Sequence, residues 1–273
     1  MIRSLFAAAS VLALSAGAAQ ADTGVSLKNI AARVVVIPEN RSDIDLRVVY
    51  GKAKVPVVMV HTEGNKLVAD GKLGRRGVGC KADGADVPGV GFVALADLPT
   101  VYIRTPPDAK VTTGGAVWGE VRASRSLELG VGGCGKWTLG DVANKAEVSI
   151  GGSGDVTAGR MGDSEINIGG SGNFTGGAAQ ALEANIGGNG DVSLSRVDGP
   201  VEVNIGGSGH VTVGAGQSPR LAVNIAGSGD VRHNGAVGDL AVNIVGSGDV
   251  RVHAVTGRVS RSIMGSGKVI IGQ

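Results

Sequence analysis

Apolar and polar residues alternate with a period of two along the second half of the chain. From Val201 to Val213, one set of alternate positions reads Val, Val, Ile, Gly, Gly, Val, Val, and the other reads Glu, Asn, Gly, Ser, His, Thr. This period is typical of a β-strand with one buried face. The pattern predicts that the first set faces a core and the second set faces solvent.

A glycine-rich phrase recurs in step with this alternation. "VNIGGSGHV" begins at Val203, "VNIAGSGDV" at Val223 and "VNIVGSGDV" at Val242. The central residues of its Gly-x-Gly triplet are 18 to 20 residues apart, at Cys134, Ser153, Ser171, Asn189, Ser208, Ser228, Ser247 and Ser266. One such unit is too small to bury an apolar face alone, whereas stacked copies bury a continuous core.

The repeat therefore predicts an all-β fold, a single-stranded parallel β-helix (solenoid) of about 19 residues per coil. Successive coils pair at about 4.8 Å, so equivalent residues form columns. Val and Ile would fill the inward columns. The outward columns hold Asn167, Asn185, Asn204, Asn224 and Asn243, and Ser153, Ser171, Ser208, Ser228 and Ser247. We expect the stacked amides to hydrogen-bond along the column, and a row that binds sugars is the alternative.

The chain divides into three predicted segments. Residues 1–21 are typical of an export signal, with Arg3, an apolar stretch and "AQA" before Asp22. Residues 22–121 lack the repeated phrase but contain short strand patterns, and they are predicted to form irregular first coils or a β-cap over the open solenoid end. Residues 122–273 would form the regular repeats. The mature chain contains no predicted transmembrane segment.

Composition and charge exclude several classes of protein. Glycine accounts for 48 of 273 residues, yet 42% of the chain is hydrophobic, which is atypical of disordered glycine-rich segments. Glycine does not occur at every third position, as collagen requires. The 26 basic and 24 acidic residues give a net charge of +2, so the charge does not indicate a nucleic-acid partner.

The glycine-rich corners lack the residues that known ligand-binding loops require. A calcium β-roll needs repeated carboxylates, whereas the position after each triplet also holds Lys136, His210 and Lys268. No helix follows any copy, as a phosphate loop would require. The histidines are scattered, and we expect exposed imidazoles rather than a metal site at His61, His210, His233 and His253. The sequence thus predicts no cofactor and no metal.

A polysaccharide-active enzyme, either a lyase or a hydrolase, is the alternative to a non-enzymatic role. Asp230 and Asp249 occupy equivalent positions in adjacent repeats, so stacking would bring two carboxylates together. The nearly constant repeat length leaves no room for the long loops that wall most active-site clefts. We predict an exported, non-enzymatic envelope protein with a structural, adhesion-like or binding role and without catalytic residues.

The chain has two cysteines, Cys80 and Cys134. In an exported protein, two cysteines indicate one disulfide. Cys134 stands in the outward Ser column, where Cys80 from the preceding region can reach it. Two separate thiols are the alternative.

The export signal, the opening "ARVVVIPENRSDIDLRVV" and the repeated "VNIxGSGDV" phrases resemble an exported bacterial family, the putative auto-transporter adhesin head GIN domain, over residues 25–273. The resemblance implies a right-handed β-helix in the periplasm or at the cell surface, with no family catalytic residues. It implies an envelope or cell-surface partner, with glycans among the candidates. Because the chain leaves no room for a C-terminal membrane domain, we expect the periplasm rather than self-secretion.

Overall fold

The computed structural model describes residues 24–74 and 77–272, and the predicted export signal lies outside them. Strands make up 67% of the described residues, and parallel coils of about 19 residues stack into a β-solenoid of about nine turns. The predicted all-β solenoid is confirmed. Among the described residues, no helix is long and apolar enough to cross a membrane.

The N-terminal part contains eight strands and one 3-10 helix. In chain order these are β1 (Gly24–Pro38), β2 (Asp45–Val49), β3 (Met59–Glu63), β4 (Lys66–Asp70), β5 (Gly79–Lys81), β6 (Gly84–Val87), β7 (Gly91–Ala94), the 3-10 helix (Leu95–Asp97) and β8 (Thr100–Thr105). Their lengths and spacing follow no fixed period, in agreement with the absence of the repeated phrase from this part.

Regular coils begin with β9. Their strands are β9 (Asp108–Val121), β10 (Ser126–Val131), β11 (Cys134–Leu139), β12 (Val142–Ile150), β13 (Asp155–Ala158), β14 (Met161–Ile168), β15 (Phe174–Ile186), β16 (Val192–Val197), β17 (Val201–Ile205), β18 (Val211–Val213), β19 (Gln217–Gly227), β20 (Val231–Gly246), β21 (Val250–Val255), β22 (Val259–Gly265) and β23 (Val269–Ile271). Each pairs in parallel with its neighbours, in the register of the repeat: Asn204 lies opposite Asn185 on one side and Asn224 on the other.

The order of coils at the N-terminal end differs from the order of the chain. Strand β1 pairs in parallel with β4 and β8 on one side and with β9 on the other, so it forms an inner coil. Strands β2 and β3 then pair antiparallel with β8 and β4 and cover that end. The N-terminal part thus contributes both coils and a cover. Strands β10 and β11 continue the parallel pairing of β9, so the pairing shows no break at residue 121. The domain boundary at this residue stays a prediction.

One apolar core runs through the stack. In β17, Val201, Val203 and Ile205 are buried and Glu202 is exposed, which follows the alternation. Trp137 and Phe174 are among the largest fully buried side chains. Trp137 fits because Gly119 lies against it in the preceding coil, where an added Cβ would come within 2.2 Å of the indole.

The prediction of four exposed imidazoles is wrong for His233. Its side chain is 1% exposed and stands in the inward column between Val213 and Val252. The Gly235 N–H donates to His233 Nδ1 at 3.2 Å, so Nε2 carries the proton and donates to the Ser218 hydroxyl at 2.9 Å. Burial lowers the pKa of the His233 imidazole. The alternation that buries Val231 also buries the residue two positions later, and the two hydrogen bonds offset the burial of a polar ring.

Strands β5, β6 and β7 form a separate antiparallel sheet beside the solenoid. A second, smaller apolar cluster lies beneath it and includes Leu73, Val87 and Leu98. The disulfide between Cys80 of β5 and Cys134 at the start of β11, with an S–S distance of 2.08 Å, links this sheet to the solenoid. The predicted disulfide is therefore confirmed.

Candidate functional site

The regular coils present two main faces, separated by the Gly-x-Gly corner. The asparagine face consists of β10, β12, β14, the second half of β15, β17, β19, the second half of β20 and β22. The threonine face consists of β11, β13, the first half of β15, β16, β18, the first half of β20, β21 and β23. The strict register carries equivalent side chains into straight outward columns on both faces.

The asparagine ladder is the column formed by Asn167, Asn185, Asn204, Asn224 and Asn243. In each step, the side-chain amide of one coil donates to Oδ1 of the preceding coil. The N···O distances are 2.9 Å for Asn185, Asn204 and Asn224 and 3.0 Å for Asn243. Ser149 and Ser262 continue the column beyond the two ends of the ladder. The amides are thus held in one orientation along five coils.

A glutamate column runs beside the ladder, two residues earlier in each strand. It consists of Glu128, Glu147, Glu165, Glu183 and Glu202. This column was not among the predictions made from the sequence, although a recurring Glu-x-Asn pattern marks it in three of the repeats. The column ends where Ala222 and Ala241 take the same position.

Stacked carboxylates repel one another, and cations relieve the repulsion at one end of the glutamate column. Lys110 pairs with Glu128, and Lys145 lies 3.5 Å from Glu147 and 2.6 Å from Glu165. The Lys145 ammonium, followed by the Asn167 amide, lowers the pKa of Glu165.

At the other end of the column, Glu183 and Glu202 form no ion pair with any residue that the structure describes. They accept instead from the amides of Asn185 at 3.1 Å and Asn204 at 3.5 Å. Those two amides use both of their N–H groups, one for the ladder and one for the glutamate. Asn224 and Asn243 lie beside alanines and use one N–H for the ladder. The face therefore presents free amide donors, amide oxygens and two carboxylates without cations.

A shallow groove runs along the asparagine ladder, at the positions that follow the buried isoleucines. Its floor consists of Gly169, Gly187, Gly206, Ala226 and Val245. An added Cβ would meet nothing within 4 Å at Gly169, and its nearest atom would be a backbone oxygen 4.0 Å away at Gly187 and 3.9 Å away at Gly206. None of these three glycines has a positive φ. Neither packing nor backbone conformation requires glycine there.

The neighbouring corner glycines differ. A Cβ on Gly188 would lie 2.0 Å from the Gly170 carbonyl oxygen, and one on Gly207 would lie 2.1 Å from the Gly188 oxygen. Such distances cannot be relieved by a flexible side chain, because the clash is with backbone. The Gly-Gly pair of the repeated phrase thus contains two kinds of glycine. The second, such as Gly207, allows the coils to stack closely, and the first, such as Gly206, leaves the groove open.

The column that follows each triplet is built from hydrogen-bond acceptors, and we call it the acceptor ladder. Its members are Asp155, Asn173, Asp191, His210, Asp230 and Asp249. Each side chain accepts the backbone N–H of the same position in the next coil, at 2.7 to 3.2 Å. Asp, Asn and the imidazole Nδ1 all supply the needed lone pair, so a mixture of residues serves one purpose. The mixture of Asp, Asn and His is evident in the sequence, but their shared role as acceptors of the next coil's N–H is not.

The two carboxylates considered for polysaccharide cleavage belong to this acceptor ladder. Asp230 accepts the Asp249 N–H at 2.7 Å, and Asp249 accepts the Lys268 N–H at 3.0 Å. Asp249 also pairs with Arg251 at 2.9 Å. Both carboxylates therefore hold the corner between coils. Among residues 24–74 and 77–272, no group of three or more His, Cys, Asp or Glu side chains lies close enough to hold a metal ion.

The outward serines lie at the tip of the corner. Ser208 and Ser228 approach each other with Oγ atoms 3.3 Å apart. Their backbone N–H groups donate to glycine carbonyl oxygens of the preceding coil, at 3.2 Å in both cases. The serine column lies next to the groove but contributes no side chain to its floor.

Three solved structures match the chain over more than nine-tenths of its length. A crystal structure described as a "putative adhesin" from Parabacteroides distasonis ATCC 8503 is 15% identical, covers 97% of this chain and 96% of its own, and has a TM-score of 0.51. One described as a "putative adhesin" from Bacteroides fragilis NCTC 9343 is 13% identical, with 92% and 93% covered and a TM-score of 0.42. One described as a "putative lipid binding protein", also from P. distasonis, is 16% identical, with 97% and 96% covered and a TM-score of 0.47.

At these identities the first structure supports a shared solenoid fold and nothing more specific. No curated protein is significantly similar to the chain in sequence. The part of the chain that carries Asn204, Asn224 and Asn243, three of the five members of the asparagine ladder, does match a family model. The resemblance found in the repeated phrase is thereby confirmed over residues 198–272, which match the family described as "Putative auto-transporter adhesin, head GIN domain".

Proposed function

We propose that this chain is an exported, non-enzymatic β-solenoid that binds a component of the bacterial envelope or cell surface through its asparagine face. The groove carries the proposal. Its floor is glycine in three successive coils, although Ala226 and Val245 occupy the same position in later coils and an added Cβ has space. Glycine without a structural requirement keeps the groove open beside a row of oriented amides.

A glycan suits the chemistry of this groove. Sugar hydroxyls both donate and accept, so they can donate to amide oxygens and to Glu183 or Glu202, and accept from the free N–H groups of Asn224 and Asn243. The ladder repeats these groups at about 4.8 Å along the stack, so an extended polymer can form the same weak contact several times. The glycine Cα atoms and the apolar side chains of Ala226 and Val245 on the floor match the flat, apolar face of a sugar ring.

The proposed location rests on the sequence of residues 1–21 and on the family match. Both favour export, and both the periplasm and the cell surface agree with a solenoid that binds envelope glycans. The disulfide between Cys80 and Cys134 agrees with an oxidising compartment.

A glycan array with a parallel turnover screen tests this function. The mature protein, residues 22–273, is applied to an array of bacterial and host glycans, and the same glycans are incubated with it as hydrolase and lyase substrates. We expect saturable binding to a subset of glycans and no cleavage. Cleavage that is lost in Asp230→Asn or Asp249→Asn would favour the polysaccharide-active enzyme, and an array without any bound glycan would contradict the proposed ligand class.

A further inference from the structure

The coil formed by β22 and β23 leaves one end of the described stack uncovered. Strand β22 pairs with β20 and β23 pairs with β21, each along one edge. Every residue of β22 is exposed. Within the described residues, the second edge of both strands therefore presents unpaired backbone N–H and C=O groups. At the opposite end, β2 and β3 cover the stack.

Apolar side chains cluster at this terminal edge. Val259 is 45% exposed, Ile263 37%, Met264 65% and Ile271 42%. Val245 lies beside Met264 in the adjacent coil and is 53% exposed. An exposed apolar patch of this kind, next to unpaired backbone, is typical of a surface that another chain covers.

Arg261 occupies the centre of the patch in a column that is otherwise apolar. The same inward position holds Leu129, Val148, Ile166, Ala184, Val203, Val223 and Val242 in the preceding coils. The Arg261 guanidinium forms no ion pair or hydrogen bond with any residue within 24–74 and 77–272. Any strand added to the edge would cover it, and covering an unpaired guanidinium is strongly unfavourable. A carboxylate directly opposite would remove that penalty.

We propose that the terminal edge binds an extended segment of a partner protein, which adds a strand to β22 and places an Asp or Glu over Arg261. The apolar residues two positions to either side of that acid would cover Val259 and Ile263, because side chains alternate along a strand. The recognised pattern is thus apolar, any residue, acid, any residue, apolar.

A second copy of this chain does not meet that requirement. Two terminal edges brought together would place Arg261 and Lys268 of one copy against the same residues of the other. At the opposite end, the side chains that β2 and β3 turn toward the core include Leu46, Val48 and Val60, and the acids of these two strands, Asp45 and Glu63, are exposed at other positions. Arg261 therefore selects an acidic segment and disfavours end-to-end self-association.

Labelled peptides that copy the second half of β20, the strand that already pairs with β22, test the proposal. The probes are residues 238–250 unmodified, with Val242→Glu and with Val242→Lys, titrated by fluorescence anisotropy against the wild-type protein and Arg261→Glu. We expect the Val242→Glu peptide to bind the wild type at least 10-fold more tightly than the other two. Arg261→Glu should reverse the order of the Glu and Lys peptides, which a merely unfolded variant cannot do.

Arg232→Glu, on the threonine face, is the matched control and should preserve the wild-type order. Equal binding of the three peptides, no binding of any, or unchanged preference in Arg261→Glu would overturn the proposal. Sedimentation velocity supplies a further check: concentration-dependent association of the wild type through this edge would also overturn it.

Discussion

At six successive glycine corners, one side chain accepts the backbone N–H at the same position of the coil that follows. The member of the acceptor ladder differs from coil to coil, but Asp, Asn and His each provide an acceptor at 2.7 to 3.2 Å from the N–H. A second set does the same near the opposite corner, where Asp141, Asp198 and Asp239 accept N–H groups of the next coil. These side chains therefore stabilise the fold mainly through the hydrogen bonds that they accept from the neighbouring coil.

The acceptor ladder predicts that Asp230→Asn is nearly neutral and Asp230→Ala is destabilising. Asn keeps an oxygen for the Asp249 N–H, whereas Ala leaves that partly buried N–H without its partner. We expect Asp230→Ala to lower the free energy of unfolding by about 1 kcal/mol and Asp230→Asn by less than half of that. Urea denaturation measures both. Equal losses would mean that charge or solvation, rather than the acceptor, determines this column.

The buried His233 predicts a loss of stability on acidification. Burial lowers its pKa in the folded protein, so the unfolded chain binds a proton more readily. The contribution of neutral His233 to the free energy of unfolding is therefore fully present above the ordinary histidine pKa of about 6.5. It falls as the pH decreases from there toward the lowered pKa, by up to about 1.4 kcal/mol per pH unit. The double variant His233→Val with Ser218→Ala should lack this part of the decline between pH 7 and pH 5.

The exposed His61→Gln serves as the control and should follow the wild type. Carboxylates with lowered pKa, such as Asp141, Asp239 and Glu165, contribute a further decline at lower pH in all three proteins. Parallel profiles for the wild type and the double variant from pH 7 to pH 5 would contradict the assignment of His233 as a neutral buried imidazole.

At the scale of the element, the repeated corner combines a close approach between the backbones of adjacent coils with an open groove on the surface. The close approach requires glycine at positions such as Gly207, because the coil below places a carbonyl oxygen where a Cβ would stand. The position before it, Gly206, has free space and is occupied by Ala226 and Val245 in later coils. Adjacent glycines of one turn thus have different roles.

A pair of alanine substitutions separates these roles. Gly207→Ala would place a Cβ 2.1 Å from the Gly188 oxygen and should cost about 3 kcal/mol or more, or prevent folding. Gly206→Ala should change the free energy of unfolding by less than about 1 kcal/mol. Thermal and urea unfolding measure both variants. Similar losses in the two would show that the groove glycines are also structural, and would remove the main support for a binding groove.

Much of each element could be predicted from the sequence, because a strict period repeats the evidence. Alternation identified the inward Val and Ile positions, and the repeated Asn identified the outward amides. The same alternation places His233 inside, but its polarity outweighed the pattern in the sequence interpretation. The glutamate column has a recurrent sequence pattern as well. The acceptor ladder does not, since only the geometry reveals that Asp, Asn and His accept the same N–H.

At the scale of the whole molecule, the stack has two unlike ends. Strand β1 lies between β4 and β8 on one side and β9 on the other, and this order could not be predicted, because pairing between distant strands without a repeat leaves no periodic mark. The covered N-terminal end is stabilised further by the disulfide-linked sheet. The C-terminal end shows an apolar edge centred on Arg261. The asparagine face runs from β10 to β22 as one continuous surface.

Filling the groove tests most directly whether the asparagine face is a binding surface. The double variant Gly187→Val with Gly206→Val introduces the side chain that Val245 already places in this column, and Thr157→Val on the threonine face is the control. For a glycan selected on the array, calorimetry should give at least a 10-fold loss of affinity in the filled-groove variant at unchanged unfolding midpoint, with wild-type affinity in the control. Wild-type affinity in the filled-groove variant would contradict the account.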